Sequence, residues 1–130
     1  MENERRSIKS YRDLVVWQKA LILVSTIYKI SEASPAREMY GLTSQIRRAA
    51  VSIPSNIAEG QARQHTGEFV HFLHIALGSL AEVDTQLELA VEMDFTSREQ
   101  IETCNQQIEE IRKMLHVLIR SLPDRREVSH

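Results

Sequence analysis

From Ile101 to Leu122, the residues Ile101, Cys104, Ile108, Ile111, Leu115, Leu118 and Leu122 follow one another at alternating steps of three and four. That spacing places every one of them on a single stripe of an α-helix, and no strand period of two can serve it. Seven consecutive seam positions commit the last part of the chain to a helix with one buried edge, as in a coiled coil. Ser97 followed by Gln100 reads as a capping box opening this helix, and Pro123 closes it.

Three earlier segments repeat the helical period. The first starts near Asp13, read as an N-cap, and runs to about Ser31, with Leu14, Trp17, Leu21, Val24 and Tyr28 on one face. Val15, Ala20, Ile22, Leu23, Ile27 and Ile30 widen the apolar surface well past one stripe. A helix that is apolar on more than one side is covered on more than one side. In a four-helix monomer each helix keeps a face in water, so this surplus predicts contact with another subunit.

The dipeptide Ser34-Pro35 interrupts the pattern, and a second segment runs from about Glu38 to Arg63 with Leu42, Ile46, Ala49, Ile53 and Ile57 on its apolar face. Pro54 lies inside it. The apolar phase continues through the proline, which predicts one kinked helix rather than two, with Ser52, Ser55 and Asn56 serving freed backbone groups. Gly60 is read as the weakened end of this segment.

Thr66 is the expected N-cap of the third segment, which runs to about Met93 with Phe69, Phe72, Leu73, Ala76, Leu80, Val83, Leu87 and Ala90 as its stripe. Gly78-Ser79 in its middle is expected to admit a neighbouring helix, and Asp94-Phe95-Thr96 is the connection to the fourth. Four helices joined by short links predict an all-α fold, an antiparallel up-down four-helix bundle with a proline-kinked second helix. It spans residues 13–122, between an N-terminal arm, 1–12, and a polar C-terminal tail, 123–130.

With 130 residues the chain is one domain, long enough to bury a core without disulfides or metals. Its single cysteine, Cys104, sits on the seam and reads as a buried thiol, consistent with a reducing compartment. No secretory leader is legible, and the most apolar stretch, Leu14 to Ile30, is interrupted by Gln18, Lys19, Ser25, Thr26 and Lys29, too polar for a membrane span. A cytoplasmic protein without membrane contact is the expectation.

The common reaction motifs do not occur: there is no GxGxxG, no GxxxxGK[ST] and no CxxC. Glu68 and His71 have the spacing that di-iron bundles use, but those sites need two such pairs plus two more carboxylates. His71 and His74 lie beside the apolar stripe and read as a solvated or subunit-contact face. No catalytic residue, metal, cofactor or small-molecule substrate is therefore expected.

The formal net charge of −2 gives no overall signal for a nucleic-acid partner, but charge is unevenly spread. Residues 66–96 hold six Asp/Glu and no Lys/Arg, whereas residues 37–65 hold four arginines against two glutamates. Those arginines, Arg37, Arg47, Arg48 and Arg63, are the candidate contacts for nucleic acid or another partner. Pairing with Glu38, Glu59 and the acidic third helix is the competing reading. Asn56 and Glu59 are expected to form a structural polar network on the second helix, with Glu59 serving Arg48 or Arg63.

The run from Tyr40 through Gly41-Leu42-Thr43-Ser44-Gln45-Ile46-Arg47-Arg48-Ala49-Ala50-Val51-Ser52-Ile53-Pro54-Ser55-Asn56-Ile57-Ala58-Glu59 to Gly60 closely resembles the signature of the 23S ribosomal-RNA intervening-sequence proteins. Leu14 to Ala20, Glu68 to Leu73 and Ala76 to Glu82 agree with it, so the resemblance covers about residues 11 to 122. It implies a bacterial four-helix-bundle protein assembled as a ring-shaped homopentamer. A related group, the accessory variability determinants of diversity-generating retroelements, shares bundle and ring and works with a reverse transcriptase. The resemblance thus makes nucleic acid or a nucleic-acid enzyme the first partner to test. This chain departs from that strongly basic group in being mildly acidic. A protein–protein scaffold or adaptor that does not touch nucleic acid is the alternative.

Overall fold

The structure, a computed structural model, describes residues 9–33 and 41–123. A short 3-10 turn, Tyr11–Asp13, leads into four α-helices: α1, Val15–Ser31; α2, Leu42–Ala62; α3, Thr66–Glu92; and α4, Glu102–Ser121. Among the described residues there is no strand. The Ser34-Pro35 break, the start of the second segment at Glu38, Arg37, most of the N-terminal arm and the tail from Asp124 lie outside the described residues.

The α4 seam packs as its spacing predicts. Ile101, Cys104, Ile108, Ile111 and Leu115 are buried, while Leu118 and Leu122 lean against the core from its edge. On α3 the buried stripe is Leu73, Ala76, Ser79, Leu80, Val83 and Leu87, and on α2 it is Thr43, Ile46, Ala49, Ala50, Ile53, Pro54, Ile57 and Gly60. α1 packs against α2 and α4, and α3 packs against the same two, so the four rods enclose one core.

The inward stripe of α1 differs from the expected one. Val16, Ala20, Leu23 and Ile27 are buried, whereas Leu21 is 44% and Tyr28 39% exposed. Apolar residues lie on three sides of this helix, so several stripes satisfy the helical period, and the positions of α2 and α4 select which one turns inward.

Helix ends also correct the sequence reading. Asp13 does not cap α1. It closes the preceding 3-10 turn, where its carboxylate accepts the N–H groups of Lys9 and Ser10 at 2.8 and 3.3 Å. Thr66 is the first residue of α3, not its cap, a place held by His65. The Ser97–Gln100 capping box does form, with reciprocal bonds of 3.2 and 3.3 Å, but one turn ahead of the regular α4 helix at Glu102. α3 ends in a paired reversal: Phe95 N–H reaches the Ala90 carbonyl at 2.9 Å, and Asp94 N–H reaches that of Val91 at 3.1 Å. Asp94 takes the left-handed φ of 61° that this motif requires.

Two glycines exchange the roles expected of them. α2 runs past Gly60 to Ala62, and Gly60 is where α3 comes close: a Cβ there would stand 2.7 Å from Phe72 Cβ and 3.1 Å from Phe69 Cδ1. Gly78 faces open space, with nothing within 4 Å of the Cβ it lacks. The smallness that the α2–α3 contact needs is supplied on α2.

Candidate functional site

α2 carries the polar residues singled out in the sequence, and its turns distribute them over three places. Pro54 has no N–H, so the carbonyl one turn back, on Ala50, loses its helical partner. The helix nevertheless continues through it. Side chains support the carbonyls around that gap: Ser52 Oγ–H donates to Ala49 O at 2.8 Å, Ser55 Oγ–H to Val51 O at 2.9 Å, and Asn56 Nδ2–H to Ser52 O at 2.7 Å. Asn56 thus braces its own helix, and Glu59 is not part of that set.

Arg47 belongs to the end of α1. Its Nε–H donates to Ser31 Oγ at 2.7 Å, its guanidinium also reaches the Tyr28 carbonyl at 3.4 Å, and it lies 4.4 Å from the centroid of the Tyr28 ring. A cation at a helix C-terminus is favoured by the unpaired carbonyls there. Arg47→Ala is expected to lower stability by about 2 kcal/mol, the low end of what a charged hydrogen bond (about 1.5–3) and an exposed cation–π contact (about 0.5–1) contribute together, because the side chain is only half-buried. Arg47→Lys should restore little of it, because an ammonium cannot both stack and donate from Nε. Urea unfolding of the three proteins checks both statements.

Arg63 stands sixteen residues further along α2, about 24 Å away. It pairs with Glu59 at 2.9 Å and Glu68 at 3.3 Å, and stacks 5.1 Å from the Phe72 ring. The hydrogen bond it donates to Glu59 is the main cause that raises the guanidinium pKa above its ordinary value; partial desolvation opposes it, and Glu68 adds to it. Glu59 therefore serves Arg63 rather than Arg48. The three groups tie the C-terminus of α2 to the first turn of α3, with Gln64 between them in the left-handed region at φ 59°.

Arg48 is exposed and forms no ion pair among the described residues. It stands between two surface depressions. One, about 400 Å³, is shared with Tyr28, Ser44, Arg47 and Val51. The other, about 620 Å³, is a polar groove between α2 and α3, where Gln45, Arg48, Ser52 and Asn56 face Ser79, Glu82 and Gln86. Its floor is the hydroxyl pair Ser52–Ser79, 2.5 Å apart, with Ser79 almost fully buried. Gln86 Oε1 is buried without a partner.

Of the four candidate arginines, the structure brings Arg47 and Arg48 to one depression and leaves Arg63 at the far end of the helix. Sequence reasoning missed Glu82 and Gln86, and read Ser79 only as part of a close approach between helices, not as a groove residue. The signal available was the polar stripe Gln45, Arg48, Ser52 and Asn56, at steps of three and four, which marks a helix edge facing something polar. His71 and His74 are exposed, and among the described residues no three His, Cys, Asp or Glu side chains gather as a metal site. Among the same residues, no helix is long and apolar enough to cross a membrane.

Residues 12–117 match the family model described as 23S rRNA-intervening sequence protein. The chain is also similar to a crystal structure of a protein of unknown function from the S23 ribosomal protein family of Bacteroides thetaiotaomicron. The two are 31% identical with a TM-score of 0.75, over 82% of this chain and 96% of the other. No curated protein matches the chain.

Proposed function

This chain belongs to the 23S rRNA-intervening sequence protein family, and from that premise we propose that it is a non-enzymatic scaffold whose working form is a homo-oligomer, a ring of five copies. The observation that carries this reading is the outer surface of α1. Val15 and Ile22 are each 53% exposed, Leu21 44% and Tyr28 39%. Single exposed apolar residues are ordinary on a monomer, but four on one helix of 17 residues, two on each flank of an exposed ridge of Gln18, Ser25 and Lys29, leave apolar area that association would cover. Sedimentation of the purified protein tests it. A mass several times 15.0 kDa is expected, and a stable single copy at high concentration would overturn the reading.

In this reading the bundle is antiparallel, with a bend at Pro54. Two contacts support the reversed direction of α2 and α3: Ser52 meets Ser79, while Gly60, further along α2, approaches Phe72, further back along α3. The missing N–H of Pro54 supports the bend.

A second reading, association with RNA, DNA or a nucleic-acid enzyme, is favoured by Arg48, whose guanidinium is exposed and unpaired among the described residues. Assembly would repeat that cation once per copy, concentrating charge that one chain lacks. A gel shift with structured RNA and with duplex DNA tests it. Retardation that weakens with salt and with Arg48→Ala is expected; no retardation at low salt would remove this reading and leave the scaffold.

A further inference from the structure

The polar groove between α2 and α3 has two unlike walls. Gln45 and Arg48 stand on α2 before Ser52, and Glu82 and Gln86 stand on α3 after Ser79. Ser52 touches Ser79, while Gly60, later on α2, meets Phe72, earlier on α3, so these two stretches lie side by side. On each wall the two side chains are three or four residues apart and share one face of their helix. Arg48 can only donate, and ionised Glu82 can only accept. They line the same groove, yet neither lies within 4.0 Å of an opposite charge among the described residues. Gln86 Oε1 adds a second acceptor on the α3 wall, buried without a partner. That state lowers stability until something donates to it.

The floor supplies a further acceptor. Ser52 Oγ stands 2.8 Å from Ala49 O and 2.5 Å from Ser79 Oγ. Of the two hydroxyl protons, one therefore goes to the carbonyl and the other lies between the hydroxyls. Ser79 Oγ, as donor of the second, keeps its lone pairs.

We propose that this groove binds a free amino acid with a short polar side chain, of which glutamine has a suitable length. Its carboxylate takes the donors of Arg48 and Gln45 on the α2 wall. Its ammonium donates to Glu82 and to Gln86 Oε1 on the α3 wall, once the terminal amide of Gln86 has turned into the groove. Its side-chain amide lies one helical turn along, about 5 Å away, where an N–H donates to Ser79 Oγ. The groove, about 620 Å³, is within the range of small-molecule sites. A zwitterion suits it better than a simple ion, because the walls carry opposite charge: an anion drawn to Arg48 meets Glu82, and a cation drawn to Glu82 meets Arg48. Every group comes from one chain, so the site is complete whether or not copies assemble.

Equilibrium dialysis of the full-length protein against radiolabelled L-glutamine tests this. About ten non-hydrogen atoms in an open groove predict a dissociation constant on the order of 0.1–1 mM. Arg48→Gln and Glu82→Gln change exposed residues, so each protein should keep its helical circular dichroism and bind glutamine about tenfold more weakly. Competition on the unmutated protein assigns the two charges of the ligand. N-acetylglutamine, which has no ammonium, and glutaminamide, which has no carboxylate, should each displace the label about tenfold less well than glutamine itself. Glu82→Gln also separates this site from nucleic-acid association, since removing an anion does not weaken phosphate binding. Saturable binding lost in both variants would support the proposal. No binding at about 10 mM glutamine, ten times the weakest expected constant, would overturn it. Equal affinity in either variant, or equal displacement by either derivative, would overturn it as well.

Discussion

Gly60→Ala should lower stability by about 1 kcal/mol, and Gly78→Ala should raise it by about 0.5–1, although both place the same methyl group on a helix. At Gly60 the new Cβ would meet Phe72 Cβ at 2.7 Å, Phe69 Cδ1 at 3.1 Å and the Phe69 carbonyl at 3.3 Å. The first and last of these atoms are fixed to the α3 backbone, so rotamer changes cannot clear them and the helices must part. Overpacking of that kind costs about 1–3 kcal/mol, which outweighs the roughly 1 kcal/mol that alanine gains over glycine in a helix. Moving α3 would also disturb the corner where Arg63 holds Glu59 and Glu68. At Gly78 the methyl group meets nothing, and only the gain in helix propensity remains. Thermal and urea unfolding of the two variants measures both signs. A neutral Gly60→Ala would mean that α2 and α3 are not pressed together at this point.

Stability should also fall in alkali, by about 2–3 kcal/mol between pH 9 and 11, through Cys104. The thiol is fully buried on the α4 seam, and loss of hydration pushes its pKa from 9.0 up to about 11. An acid whose pKa is higher in the folded state holds its proton there after the unfolded chain has lost it. Stability therefore falls with pH wherever only the unfolded thiol is ionised, so the loss begins near pH 9, is complete above pH 11 and levels off there. A rise of that size corresponds to about 2.7 kcal/mol. Cys104→Ala should remove this step while lowering stability at neutral pH through the small cavity it leaves. The measurement is urea unfolding of both proteins across that pH range; an identical alkaline slope in the variant would assign the step to other groups. The native thiol should also resist alkylation at neutral pH, since the thiolate is the reactive form.

The number of helices and most of their inward faces are legible in the residue order because each depends on local period. On α4, the seam named from spacing is the seam that is buried, from Ile101 to Leu115. α1 is less legible. Its apolar residues satisfy more than one stripe, and a period cannot tell which of them faces the core and which stays exposed. Spacing therefore turns Leu21 and Tyr28 inward and passes over Val16, the reverse of what the fold does. The arginines illustrate a second limit. Residue type and proximity in sequence suggest one basic group, but sixteen residues along a helix separate Arg63 from Arg47. Acceptors from three different helices, Ser31, Glu59 and Glu68, occupy those two.

Residue order alone determined that this chain is helical and where each rod begins and ends to within a turn or so, because backbone hydrogen bonds, caps and proline act over only a few residues. It also placed the chain in its family, through the run from Tyr40 to Gly60. Tertiary structure decided which glycine admits a neighbour, which arginine stays exposed and which apolar side chains of α1 stay outside. Those outcomes depend on the distance between rods remote in sequence, and no local period encodes that distance.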